Sequence, residues 1–153
     1  MTDPMAVVED FAPQSTQVIS IINPKTDKAQ SFTVKRHVSV PGYLEADHKV
    51  KARIDAMEKN KKLAVVVPND VVEKHPQEFK DAKPFKDGTS EIFLTDKREI
   101  QIATTLEISM VDPELTWSQA VVWTRIAAPL SFAIVAQLDK LNTEVAIEEA
   151  KNV

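Results

Sequence analysis

The chain has no cysteine and only two glycines, Gly42 and Gly88, in 153 residues. Without cysteine there are no disulfides, no thiolate metal ligands and no cysteine nucleophile, in keeping with a reducing compartment. Two glycines do not suffice for a dinucleotide fingerprint or a phosphate-binding loop, whose tight turns and close backbone approaches need residues without a Cβ. This argues against most nucleotide-dependent enzymes. Basic charge is in deficit, with 19 Lys and Arg against 23 Asp and Glu and a net charge of −4, so nucleic acid is not expected as the main partner. The first residues, MTDPMAVVED, hold acids and no basic region, so no secretory signal is expected.

Long apolar runs are confined to one stretch, residues 117–141, and the remainder reads as a small mixed structure able to pack against it. Thr116 followed three residues later by Gln119 is a capping-box arrangement that starts a helix. Trp123, Ala127, Leu130, Ile134, Leu138 and Leu141 recur at steps of three and four and form one stripe. Pro129 interrupts this pattern. It removes a backbone donor and clashes with the preceding turn, so the helix either kinks or ends near Ala127 and restarts. Ala128 is a poor N-cap, which favours a kinked single helix. Arg125 falls inside the window long enough to span a bilayer, and Gln137, Asp139 and Lys140 crowd its end, so no membrane span is expected.

The apolar residues of this helix exceed one face. Trp123 and Ile134, on the stripe, are expected in the protein's own core. Trp117, Val121, Arg125 and Phe132 lie off it and are expected to include the surface left open to a protein partner.

The preceding chain predicts an α+β fold of antiparallel β-hairpins with an amphipathic helix. Residues 1–16, with Pro4 and Pro13, read as an extended arm with at most a short helical turn at 7–11. Residues 17–142 form a single domain, and 143–153 an acidic tail that frays from the last helix. Within the domain, the β-branched run 17–23 and the alternating Phe32, Val34, Val38 and Val40 flank a polar turn at Asn23 to Asp27, which makes a hairpin. Residues 44–60 carry Ala46, Val50, Ile54 and Met57 at helical spacing. Residues 63–67, LAVVV, read as a buried strand, and 74–90 as a charged loop with a helical turn at 77–81. Strand is expected at 91–94. Between 99 and 111, Ile100, Ile102, Leu106, Ile108 and Met110 fall on even positions, which favours a strand. A helix competes, because Ile100, Ala103, Leu106 and Met110 also fit a helical stripe and Asp96 with Glu99 would cap it.

No residue is singled out as catalytic, cofactor-binding or metal-ligating. The histidines are His37, His48 and His75. Glu45 and His48 share a helix face, but two exposed ligands without a third do not make a metal site. No serine sits in a glycine-flanked elbow. The carboxylates fall on polar faces, where nothing would raise their pKa for acid catalysis.

The stretch 106–142 resembles the C-terminal part of small bacteriophage tail assembly chaperones. An apolar run ends in Val111-Asp112-Pro113, a short polar insertion follows, and a helix of small and large apolar residues closes on Leu141-Asn142. A hairpin followed by a charged helix is also similar to their layout. The resemblance implies a non-catalytic chain that binds tape-measure and tail-tube proteins in the host cytoplasm, without a cofactor. The alternative is a structural component of a virion or another large assembly, such as a tail, connector or capsid-associated protein. A glycine-poor, proline-rich N-terminal arm suits that reading, and self-association would serve it.

Overall fold

The structure, a computed structural model, describes residues 3–11, 16–35 and 40–151. Alternation builds its first sheet. Strand β1 (Thr16–Asn23) pairs antiparallel with β2 (Lys28–Lys35), which sets Ile19 opposite Phe32 and Gln17 opposite Val34. Ile19, Phe32 and Val34 are buried, while Val18 and Ile22 face outward. The turn closes on Asn23, whose side chain accepts the Lys25 N–H at 2.9 Å and whose carbonyl accepts the Asp27 N–H at 2.8 Å. Of the alternating positions expected to extend the second strand, Val38 lies outside the described residues, and Val40 opens a helix instead.

That helix, α2 (Val40–Asn60), leads into β3 (Leu63–Pro68), the short α3 (Asn69–Lys74), β4 (Lys83–Pro84) and β5 (Thr89–Leu94). The three strands form a second antiparallel sheet in the order β3-β5-β4. Val65 and Val67 are buried but Ala64 and Val66 are exposed, so the LAVVV run is half-buried rather than fully enclosed.

Residues 99–111 are mainly helical, which corrects the strand expectation. Helix α4 (Lys97–Ser109) is followed by the short strand β6 (Met110–Asp112). Asp96 caps α4 by accepting the Arg98 N–H at 2.7 Å. Ala103 and Ser109 are buried as fully as Ile100 and Leu106. A strand would have turned those two odd positions to the opposite face, whereas a helix surrounded by neighbours buries both. Helix α4 packs against α2, β2 and the two helices that follow, α5 (Trp117–Ile126) and α6 (Ala128–Lys151). Helix α4 thus shares the centre of the fold with the 117–141 stretch, which packs against it and against β3 and β1. Strand β6 returns to the first sheet and pairs with β2, giving the order β1-β2-β6.

The 117–141 stretch is two helices and not one kinked helix. They meet at Ala127, and the axes bend by 113°. The Ala127 N–H donates to the Trp123 carbonyl at 2.8 Å and closes α5, while its own carbonyl accepts the Ser131 N–H at 2.9 Å and opens α6. Pro129 thus sits in the first turn of α6, where its missing N–H has no intrahelical partner to lose. Thr116 and Gln119 form the anticipated reciprocal capping box. At the N-terminus α1 (Pro4–Phe11) is a helix of eight residues where an extended arm with at most one turn was expected. Helix α6 continues to Lys151 through most of the expected tail.

Candidate protein-interaction surface

Helix α5 shows how tightly its predicted contact residues are already engaged. Trp117, Val121 and Arg125 are four residues apart, so they form one stripe. Val121 is completely buried, which corrects its assignment to the open surface. Arg125 keeps only 14% of its side-chain exposure. Its Nε donates to Glu99 of α4 at 2.6 Å, one terminal nitrogen donates to Asp81 at 2.9 Å and to the Glu78 carbonyl at 3.2 Å, and the other donates to the Phe93 carbonyl at 3.1 Å. A single guanidinium thus joins α5, α4, β5 and the segment before β4. Burial alone would push the Asp81 carboxyl up, but the Arg125 hydrogen bond, the Phe93 N–H at 2.7 Å and the Arg125 charge outweigh it and hold the group below its usual value.

Trp117 is half-buried, with the Arg53 guanidinium 3.7 Å from its ring centroid. Arg53, from α2, donates to both Glu107 carboxylate oxygens, at 2.8 and 3.2 Å, and to the Thr104 hydroxyl at 3.2 Å. Lys49 pairs with the same Glu107. Trp117 therefore closes a stack that ties α5 to α2 and α4, and it is not a free anchor. Trp123 is half-buried too, and meets Phe32 edge-on with centroids 6.3 Å apart. Ile134 is completely buried. The spacing Trp117, Val121, Arg125 was a readable sign that these three lie on one side of α5. Nothing in one sequence shows that the neighbours of Arg125 are Glu99 and Asp81.

Phe132 is the predicted contact residue that remains open, at 50% exposure on the first turns of α6. Grooves lie on both sides of it. One, of about 660 Å³, runs between α2, α4 and α6 past Val50, Ile102 and Val135. The other, of about 360 Å³, is bordered by Glu99, Thr124 and Arg125, so Phe132 and Arg125 share a groove while Trp117 and Val121 lie elsewhere. A third groove, of about 580 Å³, opens where α5 and α6 turn beneath the tip of the β1–β2 hairpin. Its apolar lining includes Ile21, Phe32, Ile126, Pro129, Leu130 and Ala133. Ile22 stands at its rim with 64% exposure. The sequence did carry a sign of this rim, since the run 17–23 has apolar residues at both odd and even positions and a strand can bury only one set.

Among the described residues no group of three or more His, Asp and Glu side chains is placed to hold a metal ion. No single helix among them is long and apolar enough to cross a membrane, and the pair that passes together, α5 with the first part of α6, carries the 113° bend. No protein-family model, curated protein or solved structure matches the chain.

Proposed function

We propose that the chain is a non-catalytic interaction protein of phage tail assembly, a chaperone-like partner for the apolar segments of tape-measure or tail-tube proteins. The observation that carries this reading is the apolar groove at the α5–α6 corner. Its helical wall, Ile126, Ala127, Pro129, Leu130 and Ala133, falls within the stretch that resembles tail assembly chaperones. An open concave surface lined mostly by apolar side chains, with Asn23, Lys25 and Gln30 among them, suits one or two bulky apolar side chains of a client. Phe132, on another side of the same helical turns, adds a second apolar contact.

The test is co-expression with the tape-measure and tail-tube proteins of the same phage. Ile22→Asp and Phe132→Asp alter exposed positions and are expected to leave the fold intact. Under this reading they lose co-purification of the client and no longer suppress its aggregation in light scattering. Clients captured equally by both variants and wild type would overturn it. Mass spectrometry of finished particles separates the alternative. A chaperone is absent from them, whereas a structural component appears in stoichiometric copies.

A further inference from the structure

The outer face of the β3-β5-β4 sheet joins exposed apolar side chains to unpaired positive charge. The register sets Ala64 opposite Phe93, Val66 opposite Glu91 and Lys83 opposite Glu91, all on the side away from the buried Val65, Ile92 and Leu94. Phe85, whose N–H donates to the Thr89 carbonyl at 2.8 Å, extends this face beyond the end of β4. Val66 and Phe85 are 50% and 45% exposed. The Lys62 ammonium lies 4.1 Å and the Lys83 ammonium 5.4 Å from the centroid of the Phe93 ring. Among the described residues neither lysine has a carboxylate within ion-pairing distance. An aromatic ring between two cations, which outnumber Glu91 on this face, suits a ligand that is both acidic and apolar.

The chain itself carries such a segment. Residues 1–16 include Asp3, Glu9 and Asp10 and no Lys or Arg. Within them α1 leaves Met5 and Val7 exposed, at 63% and 39%. A helix of eight residues is marginal in water alone, so a docking surface would stabilise it. We propose that the outer face of the β3-β5-β4 sheet receives the acidic, apolar N-terminal segment of a second copy of this chain. Met5 and Val7 are exposed, so these side chains of α1 and the outer sheet face are both open in one molecule. The two halves are different surfaces, and the contact is head-to-tail. Copies joined this way add into rings or open chains and do not stop at a pair. This proposal is independent of the client-binding groove, which lies on other elements.

The experiment uses the full chain and a dye-labelled peptide of residues 1–16, followed by anisotropy at low and high ionic strength. Wild type is expected to bind the peptide, more weakly as salt rises. The double variant Lys62→Glu with Lys83→Glu, at two exposed positions, is expected to bind about tenfold more weakly or worse, as loss of two charge contacts implies. A peptide with Asp3, Glu9 and Asp10 changed to Lys is expected to reverse the preference and bind the double variant better. Light scattering of the wild-type chain should show species larger than a dimer that disperse in the double variant. Equal peptide binding by both proteins, or none, would overturn the proposal. So would a single-stranded oligonucleotide that displaces the peptide and binds more tightly, which would make the face a nucleic-acid surface. A monomeric wild type whose α1 amides are protected from hydrogen exchange would overturn it as well, since α1 would then dock within its own chain.

Discussion

Arg125 and Trp117 show what a side chain's partners do to its apparent role. By sequence alone each is a large residue on a helix with too many apolar faces, and both look available to a partner. In the structure Arg125 is saturated by four acceptors and Trp117 is stacked on Arg53. Trp117→Ala is therefore expected to lower stability by roughly 2 kcal/mol, less than the about 3–5 kcal/mol of a fully buried tryptophan. Urea denaturation checks it, and a midpoint equal to wild type would show that the stack is idle. Ile134→Ala is expected to cost about 2–5 kcal/mol, because that residue is wholly enclosed. The Arg125 cluster also predicts a pH dependence. The folded-state pKa of Asp81 is depressed, so its contribution is complete above the unfolded value of about 3.9 and is lost as pH falls through the lower folded value. Arg125 stays charged throughout. Asp81→Asn should therefore narrow the stability difference between neutral and strongly acidic solution relative to wild type. Parallel pH series of urea midpoints would sink the idea if the two proteins lost stability equally.

At the scale of elements, the hairpin, the β3 and β5 strands and the start of α5 were legible, because each rests on local chemistry: alternation, turn residues or a capping box. Helix α4 was legible only as an alternative. Its apolar residues satisfy a period of two along one side and a helical period along another, and the pattern does not record how many neighbours the element will have. Ala103 and Ser109 decide it, since they are small, buried residues that let α4 sit among α2, α5 and α6. The cap at Asp96 agrees, although Glu99 is bonded to Arg125 instead of reaching back to the cap. Asp96→Ala is expected to destabilise the fold by about 1 kcal/mol, as loss of an N-cap does. A change below a few tenths of a kcal/mol would show that packing alone holds the first turn. The corner at Ala127 departs from the kinked single helix the sequence favours for a related reason. Ala128 is a weak cap by itself, but Ala127 serves as the end of one helix and the beginning of the next, so no capping side chain is needed.

At the scale of the molecule, the α+β class was readable from the mixture of periods, but the division into two three-stranded sheets was not. The strand that completes the first sheet, β6, is three residues long and gives no periodic signal of its own. Val34 marks how much rests on that sheet. It is completely buried and lies opposite Met110 of β6. Val34→Asp is expected to cost more than about 4 kcal/mol by burying an unpaired charge, and the melting temperature should fall far below wild type. A melting temperature within a few degrees of wild type would show that β2 does not contribute to a shared core. The pairing of β2 with β6 has a further consequence for the order of events during synthesis. The hairpin emerges from the ribosome with one edge of β2 unpaired, and its partner follows only after α2, the whole second sheet and α4 have been made. Until then an uncharged β1 and the bare edge of β2 are exposed together, and such strands invite pairing with other nascent chains. A chain stalled or truncated before Met110 should accordingly aggregate during translation more than one stalled just past Asp112, both of them lacking α5 and α6.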